Sequence, residues 1–249
     1  MDFNKLLDKI HDKVSHKNLI IIVAILLIAI IAVIGGYLKR NDIFAPEPSI
    51  ATPTEQVLEK PPMVVIDPGH GGWEPGAGNG KINEKDIVLS IALEVEKLLK
   101  QKNIDYYMIR TDDTYVSLED RAQIANDKKS KLFISIHNNS FTDASQSGIL
   151  TTYNPYSSIG KEIAEIMQAK ISDLGMRNRD IMPRPNLYVL RHTEMPSLLL
   201  EVGFISNKKD LKLLTDANFQ KKCAQQIVSG IEEILEKYVI DEEGSSEED

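Results

Sequence analysis

Between residues 63 and 240, short apolar runs alternate with segments of helical period, and few folds satisfy that pattern. MVVI, IDYYMI, KLFISI, GILTTY, LYVL and SLLLEV read as strands. EKDIVLSIALEVEKLLKQK, SLEDRAQIANDKK, SSIGKEIAEIMQAKISDLG and NFQKKCAQQIVSGIEEILEKY read as helices. Ser117, with Asp120 three residues on, marks a helix start, and Gly175 marks a helix end. The expected fold is α/β: a single mostly parallel twisted sheet with helices on both faces, preceded by one transmembrane helix.

In an open α/β sheet, sites form beyond the carboxyl ends of the strands. The residues at those ends are therefore the ones to examine. MVVI runs into Asp67 and then His70; KLFISI ends at His137; SLLLEV carries Glu201. Glu84 opens the first helix after the glycine-rich loop GHGGWEPGAGNGKINE, which is pliant enough to fold His70 and Glu84 onto one point. Two imidazoles and a carboxylate suit zinc, with a fourth position left for water and a second carboxylate able to take that water's proton. Spacing alone leaves open which of Glu84 and Glu201 does which. A glutamate inside LLLEVGF interrupts an apolar strand, and a buried carboxylate needs a compensating charge or metal. Phosphate binding is excluded, because the loop lacks both Gly-Lys-Ser/Thr and G-x-G-x-x-G. His192 reads as a surface residue, and Cys223, the one cysteine, as a buried structural thiol.

Residues 19–37, LIIIVAILLIAIIAVIGGY, form an uncharged apolar run that spans about 29 Å as a helix. It is too long for a cleaved signal peptide, so an uncleaved anchor over 19–38 is expected, lodged in a lipid bilayer. Lys5, Lys9, Lys13 and Lys17 outnumber Lys39 and Arg40, which places the N-terminus in the cytoplasm and the rest outside. The expected layout is a short cytoplasmic segment (1–18), the anchor (19–38), a Pro-rich linker (39–61), the α/β domain (62–240) and an acidic tail (241–249). Phe3, Leu6, Leu7, Ile10 and Val14 share one helical face in the first segment. The net charge of −8 comes mostly from the tail, and no basic stripe with interleaved aromatics suggests nucleic acid.

The blocks VVIDPGHGGWEPGA, NEKDIVLSIALEV, LFISIHNNS and PSLLLEVGFISN, in that order, resemble the zinc-dependent N-acetylmuramoyl-L-alanine amidases of the amidase type 3 family. The resemblance covers about residues 62–238. It implies one zinc ion on His70, Glu84 and His137, with Glu201 as the catalytic glutamate. It implies supporting roles for Asn139 and Arg121. It also implies the reaction, hydrolysis of the amide between the muramic acid lactyl group and L-alanine of bacterial peptidoglycan. The loop GNGKINE departs slightly from the family's glycine spacing. Arg177, Arg179, Arg184 and Arg191 cluster in sequence, and Arg179 or Arg191 is expected to meet the carboxylates of the stem peptide. Some family members carry a long insertion that plugs the site; none is expected between His137 and Glu201. The alternatives are another zinc peptidase of carboxypeptidase type acting on wall peptides, or an inactive wall-binding protein.

Overall fold

The structure, a computed structural model, describes residues 16–40 and 63–238. Contacts divide the chain into two compact units, Met1–Leu58 and Glu59–Asp249. In the first unit, helix α1 (His16–Arg40) covers the expected anchor and extends past it at both ends. Among the described residues no helix is long and apolar enough to cross a membrane. The expected membrane span is therefore not shown by the structure. The amphipathic face from Phe3 to Val14, most of the linker and the acidic tail lie outside the described residues.

The second unit is built on a six-stranded sheet. Its strands are β1 (Val64–Pro68), β4 (Tyr106–Met108), β5 (Leu132–Asn139), β6 (Ile149–Tyr153), β7 (Asn178–Pro183) and β8 (Ser197–Phe204). A small hairpin, β2 (Gly78–Asn79) and β3 (Ile82–Asn83), stands apart in the glycine-rich loop. The order across the sheet is β4-β1-β5-β8-β6-β7. The sheet is mixed: four of its five strand pairings are parallel, in keeping with the mostly parallel expectation, and the exception is β6, which pairs antiparallel with β8. β5, β1, β4 and β8 run one way, so their carboxyl ends share one edge.

The helices are α2 (Glu84–Gln101), α3 (Leu118–Lys128), α4 (Gly160–Ser172), α5 (Tyr188–His192), α6 (Lys208–Leu214) and α7 (Ala217–Tyr238). α2, α4 and α7 bury Ile91, Met167 and Ile227 against Val64, Ile66, Ile134 and Leu200 on one face. The alternate strand residues Val65, Phe133 and Leu199 pack with Ala125, Val189 and Leu190 from α3 and α5 on the other. That period-two division, with both sides apolar, is why the strands read as continuous hydrophobic runs. Ser117 caps α3 as expected, its Oγ accepting from Asp120 N at 3.1 Å.

Two assignments differ from the sequence reading. LYVL opens the short helix α5 rather than a strand. NRDIMP forms β7, which had no apolar signature because it is an edge strand whose side chains are mostly exposed.

Candidate metal centre and active site

β1 delivers His70 through the tight turn Gly69-His70, and His70 itself sits in the left-handed region at φ 57°. A non-glycine residue there needs outside support. Two buried arginines supply it. Arg121 donates to the Pro68 carbonyl at 2.8 Å and the His70 carbonyl at 2.7 Å, and also ion-pairs with buried Asp67. Arg110 donates to the Pro68 carbonyl at 2.9 Å and the Gly69 carbonyl at 2.7 Å. Three successive carbonyls are thus fixed by two guanidinium groups, whose planar forks suit such multiple acceptance. Ser135 completes the support by donating to Asp67 at 2.7 Å.

Glu84 is the first residue of α2 and is buried. Its Oε1 accepts from Asn138 N and its Oε2 from Ala77 N, both at 2.9 Å. Its Oε2 lies 3.1 Å from His70 Nε2, and its Oε1 lies 2.8 Å from His137 Nδ1. Burial alone would raise this carboxyl, but the hydrogen bonds with His137 and His70 outweigh it and hold the group well below the usual range. The positive end of the α2 dipole favours the same ionised form.

His137 lies in β5, and the sheet register places it directly beside Glu201 of β8. Each stands one residue past an apolar neighbour, Ile136 or Leu200. A Cβ at Gly69 would collide with the His137 ring, and a Cβ at Gly76 would fall 2.6 Å from Glu84 Oε2. These two glycines are required by close approach.

His70, Glu84 and His137 each offer one donor atom, all within 4.8 Å of one another. The donor set is the kind that holds a divalent transition metal. Among the described residues three buried side-chain atoms lack a hydrogen-bond partner, Asn138 Oδ1, His70 Nδ1 and Glu201 Oε2, and the last two support the fit. Such atoms are costly unless a ligand satisfies them. Burial raises the Glu201 carboxyl, with the nearby positive charge of His137 opposing it and Glu84 adding to it.

Residues 64–233 match the profile of the Amidase_3 family, N-acetylmuramoyl-L-alanine amidase. The chain belongs to this family. "Probable cell wall amidase LytH" of Staphylococcus aureus is 35% identical over 184 residues, covering 71% of this chain and 61% of that protein. The chain thus spans less than two thirds of this relative's length. Among solved structures, an N-acetylmuramoyl-L-alanine amidase from Clostridium difficile 630 superposes with a TM-score of 0.68 at 36% identity, covering 72% of this chain and all of that one. The catalytic domain of CwlV from Bacillus (Paenibacillus) polymyxa var. colistinus gives 0.67 at 38% identity, covering 70% and 98%.

For this Amidase_3 chain, the structure brings His70, Glu84, His137 and Glu201 to one end of the sheet. Arg121 is buried beside them, on the Pro68 and His70 carbonyls and Asp67. The Asn139 side chain accepts from Ser140 N at 2.8 Å. A register shift between His137 and Asn139 instead aims the backbone of Asn138 at Glu84. Arg179 donates to Gln146 Oε1 and the Ser147 carbonyl, at 3.1 and 3.2 Å. Arg191 is exposed on α5, at the edge where β8 begins, because the neighbouring Leu190 carbonyl accepts from Ser197. That is the edge opposite the triad. Of these arginines, Arg184 is near enough to Glu201 for its charge to oppose, in small part, the rise that burial gives that carboxyl. Asp67, Arg110 and Asn138 are the supports that sequence reasoning missed; the contacts by which they support the site, Asp67 with Arg121, Arg110 with Gly69 and Asn138 with Glu84, span 40 or more residues and leave no local pattern.

Proposed function

We propose that this chain is a zinc-dependent N-acetylmuramoyl-L-alanine amidase that hydrolyses the bond between the muramic acid lactyl group and L-alanine of peptidoglycan. The observation that carries the reading is the convergence of His70, Glu84 and His137 beside Glu201, whose Oε2 is buried without a partner. His70, Glu84 and His137 would hold one zinc ion. When bound, that ion supplies Lewis-acid polarisation of the scissile carbonyl and lowers the pKa of the attacking water. Glu201 takes the proton from the attacking water and passes it to the leaving alanine nitrogen. A buried carboxyl with a raised pKa is suited to both halves of that transfer. Arg110 and Arg121 keep the His70 turn in place without touching the reacting atoms. The amidase relatives named above support the same reaction.

The apolar, uncharged run over 19–38 supports a single-pass anchor with the catalytic domain outside the cytoplasm, where the wall is. Extraction at alkaline pH tests that placement: an anchored chain stays with the membrane fraction.

Purified protein incubated with peptidoglycan fragments, with and without a chelator, tests the reaction. Mass spectrometry should find a free lactyl carboxylate on the glycan and a new N-terminal alanine, lost on chelation and restored by zinc. Release of C-terminal residues from the stem peptide instead would point to a carboxypeptidase.

A further inference from the structure

The turn that follows His70 carries Trp73, the only tryptophan in the sequence, and leaves it 75% exposed. The turn is not loose. Gly71 and Glu74 exchange backbone hydrogen bonds at 3.0 and 3.1 Å. Gly72 N donates to Asp113 Oδ1 at 2.8 Å. Lys85 Nζ bridges the Gly72 carbonyl at 2.8 Å and Asp113 Oδ2 at 2.6 Å. The Trp73 ring rests 4.5 Å from the Tyr115 ring, tilted by 34°. An indole is thus held in fixed orientation with its outer face in water, and such a face offers a large rigid contact area at little cost in conformational entropy.

The surroundings define what would cover it. Glu74, Asp112 and Asp113 line the turn; of the cations beside them, Lys85 is committed to Asp113, and Arg110 to the carbonyls of Pro68, Gly69, Lys85 and Asp112. Carboxylate oxygens around an apolar plane accept from hydroxyl and amide hydrogens, while they repel the carboxylates of a stem peptide. A pyranose ring presents this pairing: C–H groups on a face, hydroxyls at the rim.

The platform also adjoins the metal triad. Glu74 Oε1 lies 3.6 Å from His70 Nδ1, and Trp73 is its chain neighbour. Tyr115 follows β4, the strand at one edge of the sheet, whereas Arg177 and Arg179 stand at the head of β7, the other edge. On the amidase reading the bond to be cut joins a sugar's lactyl arm to an acidic peptide, and the acidic rim around Trp73 suits the sugar side.

We propose that Trp73, seated on Tyr115, is a stacking subsite for an N-acetylated sugar ring of the glycan next to the scissile amide. The placement beside the scissile bond rests on the amidase reading; the sugar affinity does not. Because Trp73 is the sole tryptophan, its emission reports the contact directly. Full-length protein carrying Glu201→Gln, which blocks turnover, is titrated with glycan strands stripped of peptide and, separately, with free stem pentapeptide. Glycan is expected to quench or shift the emission; the pentapeptide is expected to leave it unchanged. In otherwise wild-type protein, Trp73→Ala should raise KM on glycan-bearing fragments about tenfold, the scale of one aromatic contact. Its kcat should stay near that of the parent, and Trp73→Phe should recover most of the loss. Emission that ignores glycan, or responds to the pentapeptide instead, overturns the subsite even if the parent cleaves peptidoglycan normally. Emission that responds to glycan in a protein with no amidase activity sustains the sugar site and removes the amidase reading.

Discussion

Gly69→Ala tests the centre most sharply, because the backbone there would accept alanine and only space forbids it. A Cβ at residue 69 would lie 2.7 Å from His137 Nδ1 and closer still to Cε1 and Nε2. Ordinary carbon contacts are about 3.5–4.0 Å, so the ring must withdraw by on the order of 1 Å. Neither backbone can yield easily: Gly69 N donates to the Ile136 carbonyl at 3.0 Å, and His137 is held in register against β8. Overpacking of this kind costs about 1–3 kcal/mol in stability. A ligand site tolerates only about 0.5 Å of misplacement. The displaced imidazole should therefore weaken zinc binding by about 10–100-fold, as disturbances of a ligand's surroundings do. Gly80→Ala is the control: residue 80 has φ 68° and no atom within 4 Å of its added Cβ, so it bears backbone strain alone. Zinc affinity is read by competition with a chromogenic chelator, and stability by thermal unfolding of the same samples. If Gly69→Ala holds zinc as tightly as the parent while melting normally, the packing of Gly69 on His137 is not what positions that ligand, and the argument fails.

Three other outcomes are expected. Arg121→Met strands Asp67 as a buried carboxylate and frees the His70 turn; it should cost about 3–5 kcal/mol, on the order of 10 °C in Tm, measured by calorimetry. Glu201→Gln should keep zinc stoichiometry by elemental analysis and lose turnover by about a hundredfold or more; a variant that loses the metal instead would make Glu201 a ligand. Burial pushes the Cys223 thiol up to about 12, so thiol reagents should label it only on unfolding. The sign follows: the core holds the neutral thiol, so its stabilisation is complete below the unfolded pKa of about 8.5 and is lost as pH rises toward the folded value. Denaturation of parent and Cys223→Ala across that alkaline window should converge as pH rises.

The site was legible in the sequence to an unequal degree. His70, His137 and Glu201 stand at the ends of the apolar runs of β1, β5 and β8, where a polar residue is conspicuous. Glu84 was legible as the opening of a helix after a glycine-rich loop. Arg191 is near Arg177, Arg179 and Arg184 in sequence yet lies on α5, because closeness in sequence says nothing about which element carries a residue. The register irregularity between His137 and Asn139 is one that no residue pattern announces.

What the chain's own order of residues determined is the set of buried strands and amphipathic helices, since hydrophobic periodicity is a local property. It also determined the residue types available at the strand ends. The tertiary structure alone decided that β6 runs antiparallel to β8, that LYVL coils and NRDIMP pairs, and that Arg110, Arg121 and Asn138 stand behind the triad. The reason is physical. Four apolar residues fit a strand or a helix turn equally well until a neighbour accepts their hydrogen bonds. A buried guanidinium is stable only where distant carbonyls and a carboxylate meet it, and that meeting is a property of the packed chain.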